Sequence, residues 1–251
     1  MPIVLGFLVA TLVGLTGMGG GVLMVPLLIL GLGLPTAEAV GTSLLFITLS
    51  KFVAAPIYMM RKQVDYKVAA LQLLGGAPGV IIGVWLLDRM NTKAMQPYVL
   101  ALVGLTILVL AVLSLVKSFL PKPAETKDRR TLLPWITFPI GLEVGFSSAG
   151  AGALGALSLM YCTPLSVSTI VGTDLLFGTA VSALGGGLHF ASGNVNPGLL
   201  TQLCLGGIAG AATGAWLGTR VPSRPLRTAL TAVLVVLGGQ LLWKGLEVIV
   251  R

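Results

Sequence analysis

The chain has 251 residues, 55% of them hydrophobic and only 10% charged; soluble domains carry roughly 25% charge, and so little cannot cover a water-facing surface. Its mean hydropathy of +0.98 makes lipid its natural solvent. The formal charge of +8 would suggest nucleic acid as a partner for a soluble chain, but here the charges lie in short clusters between apolar blocks, the pattern of cytoplasmic membrane loops.

In chain order, residues 3–31 carry no charge, and 39–60 are interrupted only by Lys51. Residues 68–87 and 94–116 are again uncharged. The stretch 117–130 (KSFLPKPAETKDRR) holds two prolines and seven charges and reads as a solvated linker. Beyond it, Glu143 and Asp174 are the only acidic or basic residues before Arg220, and His189 with the turn at 193–197 divides that run. A last block covers 228–243. A spanning helix needs about 20 apolar residues, so the chain is expected to be an all-α, polytopic integral membrane protein. The N-terminus lacks the basic region of a cleavable signal, and neither end carries a lipidation motif. Two cysteines and one histidine exclude a disulfide framework and a Cys/His metal cluster.

The linker falls near the middle, and the two sides repeat at a fixed offset of 131. Gly14 recurs as Gly145, Val40-Gly41-Thr42 as Val171-Gly172-Thr173, and Leu44-Leu45-Phe46 as Leu175-Leu176-Phe177. Val64 recurs as Val195, Gly75-Gly76 as Gly206-Gly207, Gly83 as Gly214, Trp85 as Trp216 and Arg89 as Arg220. Shared membrane composition would not align the two tryptophans. The expected organisation is an N-terminal transmembrane repeat (1–116), a cytoplasmic linker (117–130) and a C-terminal transmembrane repeat (131–251).

Each repeat opens with a glycine-broken segment followed by three longer blocks. Gly costs about 1 kcal/mol relative to Ala in a helix, so Gly17-Met18-Gly19-Gly20-Gly21 interrupts the first segment. That segment either spans as a broken helix, which makes the repeats parallel, or re-enters as two half-helices, which inverts them. Under the re-entrant arrangement one face holds eleven basic residues, including Arg61, Lys62, Lys67 and the linker set, against four on the other; under the spanning arrangement the split is ten to five. The basic turn at 61–67 and its uncharged mate at 192–198 favour inverted repeats with both termini outside the cytoplasm.

Broken backbone at membrane depth is tolerated where protein or a cavity satisfies it. A helix restarting after each break directs free N–H groups and a positive dipole end inward, as an anion site requires. The candidate substrate-binding residues are therefore Gly17, Met18, Gly19, Gly20 and Gly21 in the first break and Ser147, Ser148, Gly150 and Gly152 in the second. Tight helix packing through small residues is the alternative there, and it is the favoured reading for Gly75, Gly79, Gly83 and their mates Gly206, Gly210, Gly214. Thr42, Ser43 and Thr173 offer hydroxyls beside the breaks, with back-bonding to their own helices as the alternative. Lys51 lies some ten residues, or ~15 Å, inside its helix, where an ionisable group is by default functional. Asp174 is its candidate salt-bridge partner or a proton carrier, and Glu143 is the other candidate for proton coupling. Glu143 and His189, near block ends, are expected at the interface.

The glycine break ending in Val25-Pro26-Leu27-Leu28, followed by Leu34-Pro35, Ala39-Val40-Gly41-Thr42-Ser43, Val64-Asp65 and Gly75-Gly76-Ala77-Pro78-Gly79, resembles the TauE/SafE sulfite-exporter family, also called the toluene sulfonate uptake permease family. The second half follows the pattern less closely, with Asp174 where Ser43 stands. The resemblance implies a multi-pass protein of a prokaryotic plasma membrane that carries sulfite or an organosulfur anion such as sulfoacetate. The expected function is secondary transport, export above all; an anion channel, a carrier of another small anion, and a membrane enzyme are the rivals. No Walker motif supports ATP hydrolysis, and His189 has no partner for nucleophilic or metal chemistry. No cofactor, metal or nucleic acid is expected. The partners are the anion and the lipid bilayer, with a homodimer open.

Overall fold

The computed structural model describes residues 1–16, 20–119, 128–150, 152–218 and 223–250. Among these the chain is helical, without a strand. Helices α1 (Pro2–Thr16) and α2 (Gly21–Leu32) are short, and α3 (Thr36–Met60), α4 (Tyr66–Met90) and α5 (Gln96–Phe119) are long. After a 3-10 turn at Arg130–Leu132, α6 (Leu133–Ser147) and α7 (Ala153–Cys162) are short, and α8 (Val167–Ala191), α9 (Pro197–Gly218) and α10 (Ser223–Val250) are long.

Local chemistry sets these limits. Gly33, at φ 69°, ends α2 and returns its N–H to the Ile29 and Leu28 carbonyls, as a left-handed C-terminal residue does. Pro35 then prevents continuation. Asp65 caps α4 by accepting the N–H groups of Lys67 and Val68, and its mate Asn196 accepts the Leu199 N–H at the start of α9. At 15 and 12 residues, α1 and α2 are only ~22 and ~18 Å long, short of a hydrocarbon core of about 30 Å. Among the described residues four helices are long and apolar enough to cross a membrane: Tyr66–Met90, Gln96–Leu113, Val167–Ala191 and Thr231–Ile249. Leu74, Ile81, Trp85, Ile208 and Val236 point outward, as lipid contact allows.

The helices pack through glycine, because between apolar helices in lipid the gain comes from close approach rather than water release. A Cβ added to Gly75, Gly79 or Gly83 of α4 would strike the carbonyl oxygens of Pro134, Phe138 and Leu142 of α6. At Gly206, Gly210 and Gly214 of α9 it would strike those of Ile3, Phe7 and Thr11 of α1. Each contact recurs at the same offset of 131. The favoured packing reading of these six glycines is what the structure shows. The rings of Phe46 and Phe177, both fully buried, lie on Gly207 and Gly76 in the same reciprocal way.

The order of contacts gives chain directions. Residues 75, 79 and 83 meet 134, 138 and 142 in rising order, so α4 and α6 run parallel, and α1 runs parallel to α9 likewise. Gly41 lies by His189, Leu44 by Gly185, and Tyr58 by Gly172, so α3 and α8 run antiparallel. Gly104 lies by Gly238 and Leu242, and Gly245 by Ala101, so α5 and α10 are antiparallel too.

A candidate anion site at the broken helices

At the second break, α6 ends at Ser147, and Ser148 follows in the left-handed region at φ 62° with its N–H on the Val144 carbonyl. That turn throws Ser148 toward the other half of the chain. Its hydroxyl donates to the Ser43 Oγ of α3 at 3.1 Å. Its carbonyl sits so close to Gly21, the first residue of α2, that any side chain there would overlap it. Gly20, the residue before α2, is buried beside it. Three elements thus converge on Ser148: the end of α6, the start of α2 and the first third of α3. Ser43 is fully buried and Ser148 is 3% exposed. Hydroxyls and free first-turn N–H groups are donors for an oxyanion.

A second cluster stands at the start of α7. Gly152 is the residue before that helix. A Cβ on Gly155 would meet the Asp174 carboxylate and, at 3.2 Å, the Phe177 ring. Asp174 is also the charged neighbour of Lys51, and both are buried. Gln72, wholly buried on α4, donates to the Gly155 carbonyl at 3.3 Å and to the Ser158 hydroxyl at 3.2 Å. The sequence reading missed Gln72. Its signal was available: it is a polar residue inside an apolar block whose repeat mate is Leu203.

Thr42 and Thr173 are fully buried, and each hydroxyl oxygen accepts a backbone N–H from the opposite half. Thr173 Oγ1 accepts the Asp65 N–H at 3.0 Å, and Thr42 Oγ1 accepts the Asn196 N–H at 3.3 Å. Asp65 and Asn196 are themselves repeat mates, so each Val-Gly-Thr triplet holds the helix-capping residue of the opposite half. The adjoining glycines leave room for those turns: the Asn194 carbonyl lies on Gly41 and the Gln63 carbonyl on Gly172.

Two residues near block ends are packed inside the protein. His189, in the last turn of α8, is fully buried, with Nε2 3.0 Å from the Gly145 carbonyl of α6. Glu143 sits four residues before the second break, accepts the Ser147 hydroxyl, and its Oε2 is buried without a hydrogen-bond partner among the described residues. Proximity to a block end did not show this packing: α6 stops at Ser147 and the adjoining turn folds against α2 and α3.

Of the candidate site residues, Gly20, Gly21, Ser43 and Ser148 are brought together. Lys51, Asp174 and the start of α7 form the second group, with Gly152 at its edge. Ser147 and Gly150, the latter at φ 86°, frame Glu143. Gly17, Met18 and Gly19 lie outside the described residues.

A family model described as "Sulfite exporter TauE/SafE" matches residues 3–241. The chain is 32% identical to the probable membrane transporter protein YjnA of Bacillus subtilis, over 96% of this chain and 98% of the relative. It is 25% identical to the probable membrane transporter protein YunE of the same organism, over 97% of each. No solved structure matches it.

Proposed function

Because the chain belongs to the sulfite exporter TauE/SafE family, we propose that it is a secondary transporter moving sulfite or a related small organosulfur anion, in the export direction, across the plasma membrane of a prokaryote. The observation that carries this reading is the convergence on Ser148. A helix start at Gly20 and Gly21, and two buried hydroxyls at Ser43 and Ser148, supply donors without a carboxylate among them. A tetrahedral or pyramidal oxyanion needs such donors to replace its hydration shell. Lys51 supplies counter-charge from the same helix as Ser43, and Thr42 and Thr173 hold the scaffold in register. An inside-negative potential favours exit of a monovalent anion by about 2.3 kcal/mol per 100 mV.

The topology that fits is two inverted repeats, each a re-entrant pair of half-helices and three crossings, joined by a cytoplasmic linker at 117–130. Chain directions support it. α3 runs against its mate α8, and α5 against its mate α10. α1 runs parallel to α9, and α9 parallel to α3, since Thr42 meets Asn196 and Phe46 meets Gly207 in rising order. With α1 and α3 pointing the same way, α2 must return between them. The test of function is flux of labelled sulfite in proteoliposomes of the purified chain, with sulfate and sulfoacetate as competitors. Saturable sulfite flux, reduced by sulfoacetate more than by sulfate, is expected. Flux no greater than in protein-free liposomes overturns the reading.

A further inference from the structure

The two breaks are repeat mates, yet their chemistry has diverged. Around the second stand Glu143, Gln72, Ser158 and Asp174; the equivalent positions around the first are Leu12, Leu203, Leu27 and Ser43. A carboxylate at Glu143 has no counterpart, so symmetry of the scaffold does not explain it. Burying an ionised carboxylate without a partner is among the most unfavourable arrangements available to a protein. Here one oxygen takes the Ser147 hydroxyl, while Oε2 is buried and has no hydrogen-bond partner among the described residues. Gly150, at φ 86°, lies directly against Oε2, and any larger residue would overlap it.

Among the described side chains, no charged group forms an ion pair with Glu143. On the elements packed against α6, the described titratable side chains are engaged elsewhere or exposed. His189 of α8 binds the Gly145 carbonyl, and Asp174 of α8 lies between Gly155 and Lys51. Asp88 of α4 takes the Asn194 amide at 3.1 Å, and Arg89 stacks on Trp85 at 5.1 Å. Arg130 of the 3-10 turn reaches Asp65 and Asp128. Tyr66 of α4, Tyr98 of α5 and Tyr161 of α7 are exposed, and α2 has no titratable residue. On α4 and α7, Lys67 lies exposed at the first turn and Cys162 closes the last.

We propose that Glu143 is the proton-carrying group of this transporter, binding a proton at Oε2 together with the anion and releasing it on the other side. This rests on the anion site proposed above. The link between the two is short. Ser147 donates to Glu143 and accepts the Ala149 N–H at 3.3 Å, and between them Ser148 donates to Ser43. A negative charge arriving at Ser43 and Ser148 repels a second one at Glu143, so the anion and the neutral acid favour each other, and by linkage the proton favours the anion. The charge balance leaves export possible: a dianion with one proton carries one net negative charge outward, which the membrane potential still drives.

The test uses the purified full-length chain and its Glu143→Gln variant. In pH-difference infrared spectra, the wild type should show a carboxylic-acid carbonyl band that Glu143→Gln lacks and Asp174→Asn keeps. Ser147→Ala, which removes the donated hydrogen bond and leaves the carboxyl, should shift that band; this serves even if Glu143→Gln fails to fold. In proteoliposomes, Glu143→Gln should retain labelled-sulfite exchange at equal pH. It should lose the accumulation driven by a pH step, which for one proton per anion is about tenfold per unit in the wild type. A band unchanged in both Glu143→Gln and Ser147→Ala overturns the proposal, as does pH-driven accumulation persisting in Glu143→Gln, or a gradient of sodium ions replacing that of protons. Absence of sulfite exchange in the wild type refutes the transport reading instead, and the infrared band then still judges Glu143.

Discussion

The hydroxyl of Ser148 donates to Ser43 Oγ at 3.1 Å across 105 residues of sequence, tying the broken helix of one half to the third helix of the other. Both groups are buried. They can turn to a bound oxyanion without exposing anything to lipid.

Replacing either serine should therefore weaken the anion more than the fold. A hydrogen bond to a charged group contributes about 2 kcal/mol, roughly thirtyfold in affinity. Ser43→Ala is expected to raise the half-saturating sulfite concentration by roughly that factor, while loss of the acceptor for the Ser148 hydroxyl lowers stability in detergent by only about 1 kcal/mol. An unaltered half-saturation would remove Ser43 from the site.

Thr173 behaves differently. Thr173→Val leaves the part-buried Asp65 N–H without its acceptor, a loss of about 1 kcal/mol. The melting temperature should fall, while Thr173→Ser, which keeps the hydroxyl, should melt like the wild type. Equal melting of Val and Ser variants would mean that the bond does not hold the turn.

The glycine stripe gives a stability contrast. Gly79→Leu must push α4 off the Phe138 carbonyl, so little folded protein should be recovered by size-exclusion chromatography. Gly187→Ala meets nothing within 4 Å and should be neutral or stabilising by about 1 kcal/mol. Recovery of Gly79→Leu at the Gly187→Ala level would show that the stripe is not a contact.

Much of this was legible in the sequence, for an identifiable reason. The offset of 131 seen in Val-Gly-Thr and the paired glycines is the offset between the bounds of α1 and α6, Pro2–Thr16 and Leu133–Ser147, and of α3 and α8, Thr36–Met60 and Val167–Ala191. Turns and caps depend on local residue type, so they copy with the sequence. The packing of Glu143 and His189 was not legible because their surroundings are not local. The Gly145 carbonyl that meets His189 is 44 residues away, and the break that encloses Glu143 depends on how Ser148 docks on Ser43. The backbone groups that Thr42 and Thr173 accept were not legible either, because they lie in turns 154 and 108 residues distant.

Lys51 and Asp174 separate binding from scaffold. Lys51→Met removes the charge and keeps the length; alone it leaves Asp174 without that counter-charge. If Lys51 serves the anion, Lys51→Met with Asp174→Asn should fold yet carry no sulfite. If the two are only a structural pair, removing both should restore flux, because the damage of the single change is an uncompensated buried charge.

The most direct measurement is counterflow. Proteoliposomes loaded with unlabelled sulfite are diluted into a trace of labelled sulfite, with the membrane potential clamped to zero. A carrier that presents one anion site alternately to each face must accumulate label transiently above its external concentration before it decays. Such an overshoot, abolished by Ser43→Ala with Ser148→Ala, is the expected result. A monotonic rise to equilibrium that grows without saturation would identify an open pore and contradict a transporter built on the broken helices.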